Sequence, residues 1–440
     1  MQDIQDATVT GSQRQIVFVS PFFYPELIST GKANQHLAEA FTAEGHRVTV
    51  ICSHPIYPAW MPNRSEAKLP GIDIQRGGAW VRYPASMPLR RLVLEAWFAV
   101  YALARVWRMR KQADMVVCVL PPSLFAFFLH RILPRSVRRV AVVHDLQGVL
   151  AAQRESLPRR AIIRLIHTVE SRAFRAQDLC VFFSEDMASA AEDSYDLDSS
   201  QIAVQYPFLT LPRDSDLFEG PSRQNLASIF PPDRLHVVYS GALGYKQNSR
   251  ELVALMQAAA EHFREVQFHV LSGGPFFDQL SAEYQNISGP RVFFHPLVAE
   301  QDLPELYAHS AIQIVPQAVG TEAGALPSKL PNLLAAGVYL LGICGADSEV
   351  GRIIQQAGTG SVVERWDREL FLTRLGSALE IVRREPTSVR RARVAPLLGL
   401  FSVGNLVRLS LGQVEAEGTI EDATQVLESD PAAVHTGARG

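Results

Sequence analysis

Residues 320–341 read GTEAGALPSKLPNLLAAGVYLL. The stretch opens as a loop, makes a tight Gly-Ala-Leu-Pro turn and starts a helix near Pro327 or Ser328. Gly337 stops that helix ahead of an apolar run, 338–343, that reads as a strand. Gly324 lets backbone pass close to a ligand. A helix start at this place aims unpaired N–H groups and the positive end of its dipole at the loop, a setting suited to a diphosphate. Taken alone, the stretch fits an ordinary loop–helix–strand unit of an α/β sheet equally well. Its surroundings decide between the two.

Upstream of it, strands and helices alternate. Strand 237–240 leads to helix 249–262, strand 266–271, a Gly273-Gly274-Pro275 turn, strand 292–294, a helix around 303–308 and strand 312–315. Before that series, residues 207–234 are rich in Pro, Asp and Ser and read as a linker. A first series precedes the linker. Strand 16–19 runs into a loop carrying Gly31, then a helix over 32–44 ended by Gly45, then strand 48–52. The chain continues with helix 89–111, strand 115–120, helix 124–133, strand 140–143 delivering His144 and Asp145, and strand 179–183 ending at Ser184. The pattern predicts an α/β fold of two Rossmann-like doubly wound domains facing a central cleft, with ligand loops at the C-terminal strand ends. The expected division is a disordered leader over 1–14, a first domain over 15–206, the linker, a second domain over 235–398, a final helix over 399–414 returning to the first domain, and a disordered acidic tail over 415–440.

Composition agrees. At 440 residues, with 47% hydrophobic and 20% charged residues, the chain has material for two soluble cores. The net charge of −3 hides a basic region: residues 76–175 hold 18 Lys and Arg against 5 Asp and Glu. A basic face implies an anionic partner or a solvated surface. Helix 89–111 carries Trp97, Phe98, Tyr101 and Trp107 among Arg90, Arg91, Arg105, Arg108, Arg110 and Lys111, and 159–175 is a second basic amphipathic stretch. Such helices suit an anionic bilayer surface, or a core with arginines reaching outward. Cys52, Cys118, Cys180 and Cys344 each sit in an apolar run without a CxxC pair, so no metal site or disulfide frame is read. No signal-peptide core and no run of 18 uncharged apolar residues is found, and the expected location is the cytoplasm. The absence of GxGxxG leaves a dinucleotide site unsupported.

Several strings in order carry a resemblance: SPFFYPELISTGKANQHLAEAF, VVHDLQ, YSGALGYKQ, VLSGGP, LPELYAHSAIQIVPQ and LPSKLPNLLAAG. Together they resemble GT-B glycosyltransferases of family 4, bacterial enzymes of exopolysaccharide and O-antigen assembly including colanic-acid-type and L-fucosamine transferases. The likeness spans roughly residues 15–412. It implies a retaining transfer of a sugar from a UDP- or GDP-sugar to a polyprenyl-diphosphate-linked saccharide, without metal or cofactor. It also implies peripheral attachment at the inner face of the plasma membrane, and no nucleic-acid partner.

Sugar transfer leaves a diphosphate whose growing charge must be stabilised where it develops. Lys246, in the loop from Gly241 to Gly244 and beyond, stands where the family's donor-diphosphate lysine stands. The family often has an arginine just after the first glycine, and this chain has Ala242. Amides at Gly324, Ala325 and Leu326, with Ser328 and Lys329, are the remaining expected diphosphate contacts. The family's ribose-binding acid corresponds to Asn332, and Glu322 corresponds to the acid near the donor sugar. His144, followed by Asp145, matches a histidine near the donor sugar. Gly31 would let the first loop approach the donor, with Lys32 and Glu26 as acceptor contacts. The expected catalytic set is His144, Lys246 and Glu322. Asp196-Leu197-Asp198 reads as a turn or cap, and no metal is expected. Two rivals stay open: a nucleotide-sugar epimerase of the same architecture, and a weakly catalytic binding or assembly partner, suggested by Ala242 and Asn332.

Overall fold

The structure, a computed structural model, describes residues 12–26, 28–57, 59–152, 160–211, 226–284, 289, 291–322 and 324–413. Two compact units divide them. The first comprises 12–205, 324–325 and 403–413, and the second 206–322 and 326–402.

In the first unit, β1 (Gln15–Val19), β2 (Arg47–Ser53), β3 (Ile72–Gly77), β4 (Met115–Leu120), β5 (Arg138–Val143), β6 (Leu179–Phe182) and β7 (Ile202–Val204) form one sheet in the order β3-β2-β1-β4-β5-β6-β7. Every pairing is parallel; Phe18, for example, lies opposite Val50 on one side and Val117 on the other. The central strands are apolar almost throughout because helices cover both faces. These are α1 (Ser29–Ala43), α2 (Met87–Met109), α3 (Leu124–Ile132), α4 (Gln147–Ala152), α5 (Arg160–Arg175) and α6 (Glu185–Tyr195). Val17, Phe98, Cys118, Phe125, Phe174 and Phe182 pack in one core.

Carboxylates pin two of the helix starts, one half-buried and one buried. Glu95 on α2 accepts from the N–H groups of Ser123 and Leu124 at the head of α3 (3.1 and 2.9 Å). Glu170 on α5 does the same for Gln147 and Gly148 at the head of α4 (3.0 and 2.7 Å), and also accepts the Tyr195 hydroxyl. Each satisfies amides that a helix cannot pair itself and complements its dipole.

In the second unit, β8 (Leu235–Ser240), β9 (Val266–Ser272), β10 (Val292–Pro296), β11 (Ile312–Pro316), β12 (Tyr339–Ile343) and β13 (Gly360–Val363) form a parallel sheet ordered β10-β9-β8-β11-β12-β13. Its helices are α7 (Ser249–His262), α8 (Pro275–Tyr284), α9 (Leu303–His309), α10 (Leu330–Ala336), α11 (Glu349–Gln356), α12 (Arg368–Arg384) and α13 (Thr387–Val394). The last helix, α14 (Val403–Leu411), belongs to the first unit and packs on α1. Each sheet puts its first strand beside its fourth, so the winding reverses at β1/β4 and at β8/β11. Ligands of doubly wound sheets bind beyond the strand ends at such a reversal.

The structure departs from the sequence reading in several places. Strands β3, β7 and β13 lie outside the sequence reading; β3 is a half-buried edge, and β7 and β13 span three and four residues, too little apolar signal to register. Residues 12–14 are bound rather than loose, Gln13 donating to the Gly45 carbonyl (3.0 Å). Residues 1–11 and 414–440 lie outside the described residues, and so does 212–225 of the expected linker. Its flanks belong to the second unit's interior: Phe208, Leu211 and Phe230 are buried, and Leu209 N–H donates to Phe401 O (2.8 Å). The expected single helix over 399–414 is a 3₁₀ turn, Ala395–Phe401, then α14, parted by extended Ser402. Residues 387–411 contain an 18-residue window as apolar as a membrane span, and half of that window is buried within protein. All four cysteines are free and buried.

Candidate functional site

The loop after β8 starts at Gly241, whose φ of 145° a side chain would strain. The Tyr239 hydroxyl donates to Ala242 O, and Ser249 Oγ donates to Gly244 O (2.8 Å), so both ends of the loop are tied. Lys246 follows in a 3₁₀ turn, Tyr245–Gln247, that Asn248 closes in the left-handed region (φ 44°). The loop after β11 joins it: Ala318 N–H donates to Lys246 O (2.8 Å). Both loops at the second reversal point are therefore held as one surface.

The β11 loop turns at Gly320 (φ 80°), whose N–H donates to Glu322 Oε1 (3.0 Å). Gly320 uses glycine's conformational freedom here. Leu326 is buried and Ser328 exposed. The expected helix start is corrected. Residues 327–330 make a turn, with Leu330 N–H on Pro327 O (2.9 Å), and α10 begins at Leu330 and spans seven residues. Its first amides lie past Ser328 and cannot point back as a long dipole would.

Lys329 is turned inward. Its Nζ donates to Ser240 O and to Ile314 O (3.1 Å each) and lies 4.4 Å from the centre of the Tyr239 ring. Burial lowers its pKa to about 7. Asn332 is also committed inside: its Oδ1 accepts from Thr210 and Leu211 N–H (2.9 and 3.2 Å), and its Nδ2 donates to Thr210 Oγ1 (2.8 Å).

In the first unit, His144 sits just past β5 and lies against Phe183 (ring centres 4.7 Å apart). Its Nε2 is enclosed and has no hydrogen-bond partner among the described residues. Burial lowers its pKa to about 4, against a smaller upward pull from Asp145, so the imidazole is neutral at pH 7. Ser184 caps α6, accepting from Met187 N–H, and donates to Gly324 O (3.0 Å each). Ala325 packs on the first unit's core. Gly31 is corrected from loop to first turn of α1. A Cβ there would come within 3.0 Å of Glu26 Cβ, so packing accounts for the glycine. Glu26 is buried and accepts from Ile56 and Tyr57 N–H (2.8 and 3.0 Å), which makes it an internal tie. It borders a cavity of about 550 Å³ with Tyr57, Met61, Asn63 and Arg64. Lys32 stands on the first turn of α1. Asp196 ends α6 in the left-handed region, and Asp198 accepts from Ser200 N–H (2.9 Å), a stop and a cap. Among the described residues no three of His, Cys, Asp and Glu are grouped to hold a metal.

Residues 31–211 match the family model described as Glycosyltransferase Family 4. That match covers most of the first unit. WcaI of Escherichia coli (strain K12), described as a colanic acid biosynthesis glycosyl transferase, is 24% identical over 352 residues, covering 76% of this chain and 84% of its own. WaaG, a glycosyltransferase involved in lipopolysaccharide biosynthesis, superposes with TM-score 0.60 at 14% identity, covering 94% of this chain and 100% of its own. Sucrose-phosphate synthase from Thermosynechococcus elongatus gives 0.66 at 16% identity, covering 95% and 100%. The two sheets thus have the arrangement of the two Rossmann-like halves of the GT-B fold.

Two features of the chain are not legible in its sequence. One is the inward turn of Lys329, whose only signal is its apolar flank, Leu326 and Leu330. The other is a histidine chain. His236, His269 and His295, on adjacent strands β8, β9 and β10, lie 3.1 and 3.2 Å apart through their ring nitrogens.

Proposed function

We propose that the protein moves a sugar from a UDP- or GDP-sugar to a lipid-linked saccharide acceptor in cell-surface polysaccharide assembly, with retention at the anomeric carbon and without a metal. The observation that carries this is the joined pair of loops at the β8/β11 reversal, which includes Lys246. A cation and peptide N–H groups at that point suit a diphosphate leaving group. WcaI and WaaG bear names from colanic acid and lipopolysaccharide synthesis, which favours a polysaccharide product.

In this reading the second unit's loops take the donor diphosphate. In the first unit, neutral His144, whose Nε2 has no partner among the described residues, is able to hydrogen-bond a sugar hydroxyl. The bond from the anomeric carbon to phosphate oxygen breaks as the acceptor oxygen bonds to the same face. The acceptor hydroxyl's proton passes to the departing phosphate oxygen. Glu322 braces the Gly320 turn through its backbone contact and keeps an oxygen for the donor. A lipid-linked acceptor suits the first unit's exposed apolar and basic side chains, among them Trp80, Leu92 and Arg91.

The test supplies purified protein with bacterial membranes and a panel of UDP- and GDP-sugars, with and without a chelator. Chelator-insensitive release of UDP or GDP, with label entering lipid, is expected; no nucleotide release from any donor would sink the reading. A second reading, a binding protein with little turnover, gains from Asn332, whose polar atoms are committed to residues 210 and 211. Tight nucleotide-sugar binding without release would favour it.

A further inference from the structure

Lys329 is half-buried, with its ammonium turned inward. It is held by two carbonyls and a ring face, and no carboxylate pairs with it among the described residues. The two carbonyls are informative. Ser240 is the last residue of β8, and Ile314 lies in β11, the two strands from which the Gly241 and Gly320 loops depart. The side chain therefore stitches together the floor beneath both loops from within, while Lys246 stands on the loop above. The tyrosine whose ring it touches also fixes the Gly241 loop through its hydroxyl. Charged groups on the elements around α10 are few: Arg390 and Arg391 reach its far end, Glu305 and His309 stand on α9, and Lys246 and Glu322 stand on the loops.

We infer that Lys329 is a positioning residue whose protonation is coupled to donor binding: an anionic diphosphate settling on the two loops draws a proton onto the buried amine, and the charged amine grips Ser240 and Ile314. This rests on the donor site proposed above. The chemistry is linkage. A buried amine without a counter-ion sits near its neutral–charged balance at physiological pH, and its lowered pKa of about 7 agrees with the geometry. Negative charge arriving nearby favours the charged form, so binding takes up a proton, and affinity falls as pH rises. With the amine neutral, an N–H can still bond one carbonyl, but the charge-assisted pair is lost.

Calorimetry tests this with UDP-glucose and GDP-mannose, whose diphosphate diesters do not titrate near neutrality. Binding is measured at pH 7.5 in buffers of low and high ionisation enthalpy, and again between pH 7 and 9. Expected is uptake of a substantial fraction of one proton, with affinity falling by up to about tenfold per pH unit above the free amine's pKa. In Lys329→Met the uptake vanishes and affinity no longer depends on pH. Lys329→Arg, which stays charged throughout, binds without uptake and serves if the methionine variant does not fold. Binding enthalpy independent of buffer in the natural protein overturns the inference and leaves the donor site standing. Uptake that persists in both variants places the proton elsewhere and overturns it too. Failure of both nucleotide sugars to bind would remove the donor site and this inference together.

Discussion

At the scale of single residues, the question is which polar side chains are spent on the fold and which face a ligand. Lys246 is half-buried on a braced turn, and its replacement tests the proposed chemistry directly. Lys246→Ala should lower kcat/KM for the donor by about 10²- to 10³-fold, the cost of losing one preorganised charge at a leaving group. Steady-state kinetics checks this, and an unchanged kcat/KM excludes Lys246 from the reaction. Glu26 is the opposite case. Its carboxylate holds two buried N–H groups, so Glu26→Ala should destabilise by about 3 kcal/mol, read from urea midpoints. An unshifted midpoint would mean that water replaces both bonds. Glu26 and Asn332 both resemble ligand contacts in the sequence, since loop polar residues near glycines are good candidates. What the sequence could not reveal is the long-range partner: residues 56–57 for one, 210–211 for the other. The place of His144 at a strand end was legible because the apolar run before it marks the strand without any distant contact.

At the scale of elements, periodicity located most strands within two residues, because buried parallel strands are continuous apolar runs. Helix starts were harder. Pro327 and Pro331 both mark the head of α10, and the turn closed by Leu330 N–H on Pro327 O moved its start past the expected position. The histidine chain was invisible for a related reason, since cross-strand diagonals depend on sheet order. His236 Nε2 lies 2.9 Å from Pro231 O and so carries its hydrogen. His236 Nδ1 then accepts from His269, and His269 Nδ1 accepts from His295. Such a run needs His236 and His269 neutral, because each accepts at one ring nitrogen. Burial, with the neighbouring rings, pushes His269 down to about 2, and burial lowers His295 and His236 as well. Because the folded state refuses protons that the unfolded chain accepts below about pH 6.5, stability is full above that pH and drains away as pH falls. The thermal midpoint should drop between pH 7 and pH 5. His269→Gln should flatten that slope, and a slope unaltered by the substitution would free the chain of responsibility.

At the scale of the whole molecule, charge divides unevenly along the chain. The 18 basic residues between 76 and 175 all belong to the first unit by sequence position, against 5 acidic ones. Among the described side chains there, α2 and the loop before it expose Trp80 (77%), Met87, Leu89, Leu92 (64%), Val100 and Trp107, and α5 exposes Ile162 and Leu165. Arg110 lies over the Trp107 ring at 4.1 Å and Arg90 over Trp60 at 4.8 Å, so the cations stay beside the aromatic anchors. A folded core would have covered such side chains; α2 instead buries Leu94, Phe98, Ala102 and Val106 and presents the rest. Apolar anchors ringed by arginine match an anionic bilayer, where each basic residue near the surface contributes about 1 kcal/mol. The protein should therefore co-sediment with vesicles containing phosphatidylglycerol and not with purely zwitterionic ones. Raising salt to about 0.5 M should release much of it, since the Debye length shrinks to a few ångströms. The paired change Arg90→Glu and Arg91→Glu should weaken binding strongly, while Leu92→Ser should weaken it at every salt concentration. Equal binding to both kinds of vesicle, or none to either, would assign these exposed side chains to some other partner.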